Sequence, residues 1–450
     1  MTRVLLVGSG AREHAITRAL CNSGGSVSCF ASNLNPGIMA LAAGFELGEL
    51  DAPEAVVAFA AQQLAELAVI GPEAPLAAGV ADALRAAGIP TVGPGRELAQ
   101  IETSKAFARD LLMRHGIPGC PRYRTFDALA GVAGWLAELG DSYVVKYDGL
   151  AGGKGVKVAG DHLHSHAEAL AYCRELVACG GRFVVEEKLV GEEFSLMSFC
   201  DGETLRHMPA VQDHKRALEG DRGPNTGGMG SYCDANHSLA FLDDEDISAA
   251  QAINEATAAA LKAECDEPYR GFLYGGFIAT AGGSKLIEYN ARLGDPEALN
   301  VLEILQSDFL PICEGMATGT LAECEVTFRP EATVCKYVVP EGYGAQPRRD
   351  CTLVIDDERL AASGVSLFYA AVNQPPGGAL ETTSSRAVAV VGSGATLAAA
   401  EAQCEAGLAA VSGRGLHVRH DIATPPLLAQ RVAHMRQLRG KRVAPVAGAT

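Results

Sequence analysis

An α/β fold that turns α+β in its central part is predicted by three features of the sequence. Short apolar runs alternate with helical patterns over residues 1–102. The pattern becomes strand-rich and glycine-punctuated over 103–312, and a last stretch, 326–435, mixes strands with a helix. A chain of 450 residues exceeds what one ordinary core organises, so several domains are expected. Hydrophobic residues make up 48%, enough to bury those cores and to exclude a disordered chain.

The apolar run 3–7 ends at Gly8-Ser9-Gly10, after which Ala11, Ala15, Ile16, Ala19 and Leu20 share one helical face. Strands are expected at 26–31 and 67–70, with alanine-rich helices over 54–64 and 76–87. Strands joined through helices pair in parallel, because a helix of this kind carries the chain back to the same end of the sheet. Gly93-Pro94-Gly95 closes this unit. Thr103 or Ser104 then caps a helix that stops at Gly116, ahead of Ile117-Pro118. YVVKYDG and FVVEEKL read as strands, and 272–280 with 285–290 as an antiparallel hairpin turning at Gly282-Gly283. Further strands are expected at 334–339, 353–355, 367–372 and 387–391, with a helix over 396–410. The tail 436–450 is expected to be flexible, and no internal repeat is present.

A formal charge of -17 excludes a general nucleic-acid binder, since no surplus of cations exists to displace counterions from phosphates. No run is long and apolar enough to span a bilayer, and the apolar part of MTRVLLVGSG is too short for a signal peptide. The 13 cysteines include no C-x-x-C pair and sit singly in apolar surroundings, which reads as reduced thiols in a cytoplasmic protein.

GSGAREH, residues 8–14, follows a strand and opens a helix, as a dinucleotide turn does. Glu13, however, stands where the third glycine belongs, and no carboxylate sits roughly twenty residues on to hold a ribose. A helix N-terminus still offers free N–H groups, so a single phosphate, a nicotinamide nucleotide and a purely structural turn all remain as readings. GLAGGKGV, residues 149–156, is a phosphate-cradling loop by composition, with Lys146 just upstream. It is not a Walker A loop, because no Ser or Thr follows Lys154. VVEEKLVGEEFS, residues 184–195, brings four carboxylates together for acid–base work, although Glu192 also fits a solvated charged turn.

In IEYN, residues 287–290, Glu288 and Asn290 point to one face of a strand, and a carboxylate with an amide oxygen suits magnesium. ARLGDPE adds Arg292 and Asp295 at that strand's end, a common place for chemistry. QDHKR, residues 212–216, precedes GPNTGGMG, whose four glycines in eight residues no helix or strand would favour. Bare backbone beside charges of both signs reads as a seat for a zwitterionic or phosphorylated small molecule. No Ser–His–Asp or Cys–His constellation is apparent.

With VGPEAPL, ETSKAF and GFLYGG, these motifs closely resemble the phosphoribosylamine–glycine ligase (glycinamide ribonucleotide synthetase) family of the ATP-grasp superfamily, in family order from Gly8 to Glu297. The flap and the metal strand are general to ATP-grasp enzymes, whereas QDHKR with GPNTGGMG is restricted to this ligase. The resemblance implies an N-terminal Rossmann-like, pre-ATP-grasp domain (1–102) for phosphoribosylamine. An ATP-grasp domain of two antiparallel-sheet subdomains (103–312, flap about 120–190) and a small mixed α/β C-terminal domain (326–435) would follow. It implies ATP-dependent ligation of glycine to 5-phosphoribosylamine through glycyl phosphate, in purine biosynthesis.

By the same resemblance, Lys105 and Lys146 contact ATP phosphates, and the loop with Gly152, Gly153 and Lys154 closes above them. Glu186, Lys188 and Leu189 form the adenine hinge and Glu193 takes the ribose hydroxyls. Glu288 and Asn290 hold Mg2+ or Mn2+. Asp213, Lys215 and Arg292 are the implied catalytic groups, and Asp213 with the backbone of Gly227, Gly228 and Met229 takes glycine and its acyl phosphate. Gly10, Arg12, Glu13, Asn225 and Thr226 join Arg292 around the substrates. A monomer or weak homodimer is expected, without nucleic acid or membrane.

Two departures stand out. Gly276 occupies a position where some relatives place a glutamine as third metal ligand, leaving two protein ligands or an indirect part for Glu297. PEGYGAQP and TSSRAVAV replace glycine-rich pieces of many bacterial members and resemble a different branch. The alternatives are a ligase for another small amino acid or amine, and a nucleotide-binding regulator without turnover.

Overall fold

The computed structural model describes residues 1–150, 155–349, 351–374 and 380–440. Gly152, Gly153 and Lys154, expected over the nucleotide, lie outside the described residues.

The N-terminal unit is a five-stranded parallel sheet ordered Gly44–Leu47, Ser26–Ala31, Arg3–Val7, Leu67–Ile70 and Thr91–Val92. Val4 to Val7 are at most 1% exposed, as a central strand covered by helices on both faces requires. Three strands match the expected bounds; the two edge strands are too short to carry a pattern of their own. The helix expected over 76–87 is two helices, Glu73–Ala78 and Val80–Ala86, because Gly79 between them turns left-handed with φ 85°.

The central unit contains two antiparallel sheets. One orders Leu205–His207, Gly191–Cys200, Gly271–Thr280 and Gly283–Asn290. Thr280 pairs with Gly283, so the hairpin turns at Ala281 and Gly282, one residue earlier than expected. The other orders Tyr123–Phe126, Phe183–Glu187, Tyr143–Tyr147 and Val156–Val158. It has its own core around Trp135, Tyr143 and Phe183, separate from the main one. Ser104 caps the helix Lys105–Arg114 by accepting from the Phe107 N–H, as the sequence indicates.

The C-terminal sheet draws strands from two stretches of the chain. Its order is Gln212–Asp213, Gly230–Cys233, Ala332–Pro340, Val388–Gly394 and Ser366–Tyr369. The strand leaving GPNTGGMG is therefore hydrogen-bonded to the C-terminal unit, with Gly230 opposite Lys336. The glycine loop is fixed from behind by a strand a hundred residues onward in the chain.

Two expectations fail at the last helix, Pro425–Arg439. Residues 436–439 of the expected flexible tail belong to it, with Arg439 reaching Asp243 and Asp246 at 2.7 Å each, while 441–450 lie outside the described residues. Glu192 is not solvated, being 5% exposed under His434 (2.5 Å) and Arg431 (3.3 Å). A distant helix covers what reads locally as a charged turn. All thirteen cysteines are free, and no described helix is long and apolar enough to cross a membrane.

The N- and C-terminal units meet at His14. Its Nδ1 accepts the Tyr369 N–H at 3.1 Å while Asn35 donates to the Tyr369 carbonyl at 2.7 Å. Burial, helped by Arg18, lowers the His14 imidazole from 6.5 to about 3, so it stays neutral when folded. A folded value below the unfolded one gives stability that is complete above the unfolded value and lost as pH falls toward the folded one. Between about pH 7 and about pH 5 this single group should cost about 2 kcal/mol. Urea unfolding at both pH values measures it, and the His14→Gln variant should show a shallower pH dependence. Equal dependence in both proteins would rule His14 out.

Candidate active site

The strand Gly283–Asn290 carries the centre of the site. Glu288 is half-buried, and among the described residues no hydrogen bond or ion pair engages its carboxylate. Burial pushes that carboxyl upward, but Lys215, Lys146, Lys105 and Arg292 outweigh it and hold Glu288 below the ordinary carboxylate range. Asn290 lies two residues on, on the same face of the strand. Gly276 pairs directly with Glu288, so the position opposite carries no side chain. A Cβ there would meet the Glu288 backbone at 3.4 Å and its Cγ at 3.5 Å, ordinary contacts, so the strand itself leaves room for a side chain.

No group of three or more His, Cys, Asp or Glu able to hold a metal occurs among the described residues. A free carboxylate and an amide on one face, ringed by cations, fit a hard ion that arrives with phosphate oxygens better than a resident metal.

Lys146 is 5% exposed and forms an ion pair with Glu186 at 2.6 Å, while also donating to the Ile287 carbonyl at 3.0 Å. Arg109 grips the same carboxylate through Nε at 2.8 Å and Nη2 at 3.2 Å. In the expected adenine hinge, the Glu186 side chain is taken up by these two cations, which leaves its backbone on the hinge strand. Its carboxylate points inward, because two buried cations need a counter-charge. Burial raises the Glu186 carboxyl, and Arg109 with Lys146 more than reverses that. Lys188 donates to the Ala159 carbonyl at 2.8 Å, and Leu189 follows it half-buried. Lys105 reaches the Gly149 carbonyl at 3.1 Å, at the start of the glycine flap. Lys215 pairs with the exposed Glu193 at 3.2 Å.

A second cluster gathers below the N-terminal sheet. Glu13 accepts from the Gly10 N–H at 2.6 Å and from Arg12 Nε at 2.6 Å. Arg12 Nη1 also donates to the Leu293 carbonyl at 3.0 Å. Arg292 lies 3.3 Å from both Glu73 and Glu102. Glu13 is thus a brace for the turn and for Arg12, and its charge would oppose rather than bind a phosphate. Asn225 is exposed and pairs with Arg216 in a hairpin, with no bond to Arg12 or Arg292 among the described residues.

The glycine loop runs between the strands Gln212–Asp213 and Gly230–Cys233, which pair with each other. Asp213 is half-buried, and burial, then the neighbouring Glu297, raise its carboxyl well above the usual range against Lys215 and Arg386. Tyr274 donates to Glu297 at 2.7 Å. Gly228 has φ 113°, and a Cβ there would lie 2.8 Å from Asp213 Oδ1 and 2.7 Å from Pro296 Cδ, so only glycine fits.

The expected row of free backbone donors is not found. The N–H of Gly228 goes to Thr226 Oγ1 at 3.1 Å and that of Met229 to the His214 carbonyl at 2.8 Å, while Gly227 makes a long contact with the Tyr343 hydroxyl at 3.4 Å. Met229 itself is fully buried, so it anchors the loop.

Sequence reasoning missed Arg109 and Arg386. Both act through partners far along the chain, and their only local signal is an arginine beside an apolar run.

Two antiparallel sheets following a parallel-sheet unit are the ATP-grasp architecture. A biotin carboxylase from Campylobacter jejuni, solved with a β-γ-ATP complex, shares it with a TM-score of 0.71 at 14% identity, covering 97% of this chain and 98% of that one. Residues 2–102, 103–298 and 333–425 match the N domain, the ATP-grasp (A) domain and the C domain of phosphoribosylglycinamide synthetase.

The chain belongs to the phosphoribosylglycinamide synthetase family. It is 47% identical to the phosphoribosylamine–glycine ligase of Methanosarcina barkeri, covering 97% of this chain and all of that protein. The corresponding ligase of Methanothermobacter thermautotrophicus is 46% identical with the same coverage. The crystal structure of the Thermotoga maritima phosphoribosylamine–glycine ligase superposes with a TM-score of 0.80 at 27% identity, covering 94% of this chain and all of that one.

Proposed function

We propose that this protein joins glycine to 5-phosphoribosylamine at the expense of ATP, through glycyl phosphate, in purine biosynthesis. The observation that supports this reading is the shared electrostatic neighbourhood of these groups: Lys215 acts on both Glu288 and Asp213, and Glu297 acts on both Asp213 and Arg292. Lys105 and Lys146 neutralise the triphosphate, Glu193 meets the ribose, and Lys188 with Leu189 borders the base. Glu288 and Asn290 would hold Mg2+ or Mn2+, which would supply positive charge against the phosphates.

The carboxylate of glycine attacks the γ-phosphorus of ATP and ADP leaves. The amine of phosphoribosylamine then attacks the acyl carbon, the C–N bond forms and phosphate departs. Asp213 receives the ammonium of glycine, and Lys215 faces the transferring phosphoryl group. Arg12 and Arg292 hold the phosphoribosyl end, each already oriented by a carboxylate. Two-step transfer of this kind depends on positioning and charge rather than on an enzymic nucleophile. The protein acts as a soluble cytoplasmic enzyme on small molecules.

ADP release should require glycine and phosphoribosylamine together. Glycine should exceed alanine and serine by at least about tenfold in kcat/KM, as one added methyl or hydroxymethyl group typically costs in a site built for the smaller substrate. Faster turnover with alanine or serine would assign the site to another amino acid.

A further inference from the structure

Arg386 lies just before the strand Val388–Gly394 of the C-terminal unit, far in sequence from every motif of the site. Its guanidinium nevertheless spans three segments of that site. Nη1 donates to the carbonyls of Gly227 and Asp295, both at 2.8 Å, and Nη2 pairs with the Asp295 carboxylate at 2.9 Å. The Gly228 carbonyl lies 3.5 Å from Nη1. The guanidinium carbon sits 4.5 Å from the centre of the Tyr337 ring, and the Tyr337 hydroxyl donates to Asp295. A planar fork with several donors can hold two carbonyls and a carboxylate at once; a lysine ammonium of similar reach cannot hold that geometry.

The arrangement continues directly to Asp213. A Cβ on Gly228 would touch Asp213 Oδ1 at 2.8 Å and Arg386 Nη1 at 3.4 Å, so arginine, glycine backbone and aspartate are stacked in contact order. A loop with four glycines in eight residues has high freedom of its own. The N–H groups of Gly227, Gly228 and Met229 have partners in Tyr343, Thr226 and His214, but two of the loop's carbonyls depend on Arg386.

We propose that Arg386 is a positioning residue for glycine activation, pinning Gly227 and Gly228 to the Asp295 turn so that the C-terminal unit completes the seat of the acyl phosphate. This rests on the reading of Asp213 and the glycine loop as the glycine seat. A plain interdomain staple would lower stability and affect every substrate alike. A positioning residue affects glycine selectively, and its loss lets water reach glycyl phosphate, returning glycine and phosphate without product.

The test uses the full chain with Arg386→Ala, Arg386→Lys and Asp213→Asn, each substrate varied in turn. For Arg386→Ala the glycine KM should rise by at least about tenfold while the ATP KM stays within about twofold, and Arg386→Lys should fall between it and the wild type. ADP should also form in excess of glycinamide ribonucleotide in Arg386→Ala. A glycine KM unchanged in Arg386→Lys, or glycine and ATP KM values rising together with a lower melting temperature, would overturn the proposal. Should Arg386→Ala fail to fold, Arg386→Lys decides by the same glycine criterion. An unchanged glycine KM in Asp213→Asn would remove the glycine seat and the proposal with it. If Asp213→Asn raises that KM and Arg386→Lys does not, the seat stands and the role of Arg386 falls.

Discussion

Glu288→Ala should lower turnover by roughly a thousandfold or more, about 4 kcal/mol of transition-state stabilisation, in a protein that still folds. The size follows from what the carboxylate faces. Lys215, Lys146, Lys105 and Arg292 converge on it, and among the described residues no hydrogen bond or ion pair engages it. A structural carboxylate would carry such a bond, so this one is available to a divalent ion and the phosphates that come with it. Asn290 alone, as a neutral amide, cannot replace that charge. Because truncation strips no hydrogen-bond partner, the melting temperature should stay within about 3 °C of the wild type. Magnesium-dependent turnover within about tenfold of normal in Glu288→Ala would remove the metal role from this strand.

Glu186→Gln should act oppositely, on the fold first. Glu186, Lys146 and Arg109 are at most 5% exposed, and the single carboxylate serves both cations. An amide keeps the shape and loses the charge, which leaves two buried cations without compensation. Removing one partner of a buried ionic group costs about 3–5 kcal/mol, although replacing the whole group by apolar side chains is often harmless. Guanidinium unfolding of the full chain measures the loss, and the ATP KM should rise as Lys146 loses its anchor. A destabilisation below about 1 kcal/mol would mean that water, rather than Glu186, compensates these cations.

Much of the fold was legible because its signals are local. The strands 3–7, 26–31 and 67–70 are continuous apolar runs, and a run bounded by turns needs no knowledge of its partner to be read. Ser104 announced its helix in the same way. The glycine loop and IEYN were legible as chemistry, since glycine density and alternation survive without a structure.

What failed turned on which partner each group takes, near or far, a choice that composition and periodicity do not show. Glu192 looked solvated until His434 covered it, and Glu186 looked available until Arg109 claimed it. Glu13 looked like a ligand and is a brace for Gly10 and Arg12. The open donors imagined for Gly227 to Met229 are satisfied by Thr226, Tyr343 and His214. A hydrogen-bond partner hundreds of residues away leaves no mark on local pattern.

On the proposed mechanism the glycine carboxylate itself becomes phosphorylated in the seat formed by Asp213 and the glycine loop. Glycine labelled with heavy oxygen in its carboxylate tests it directly, with ATP and phosphoribosylamine unlabelled. Phosphate released during ligation should carry one labelled oxygen per turnover, because the acyl–oxygen bond breaks when the amine attacks. Unlabelled phosphate, with glycinamide ribonucleotide formed at the normal rate, would contradict it.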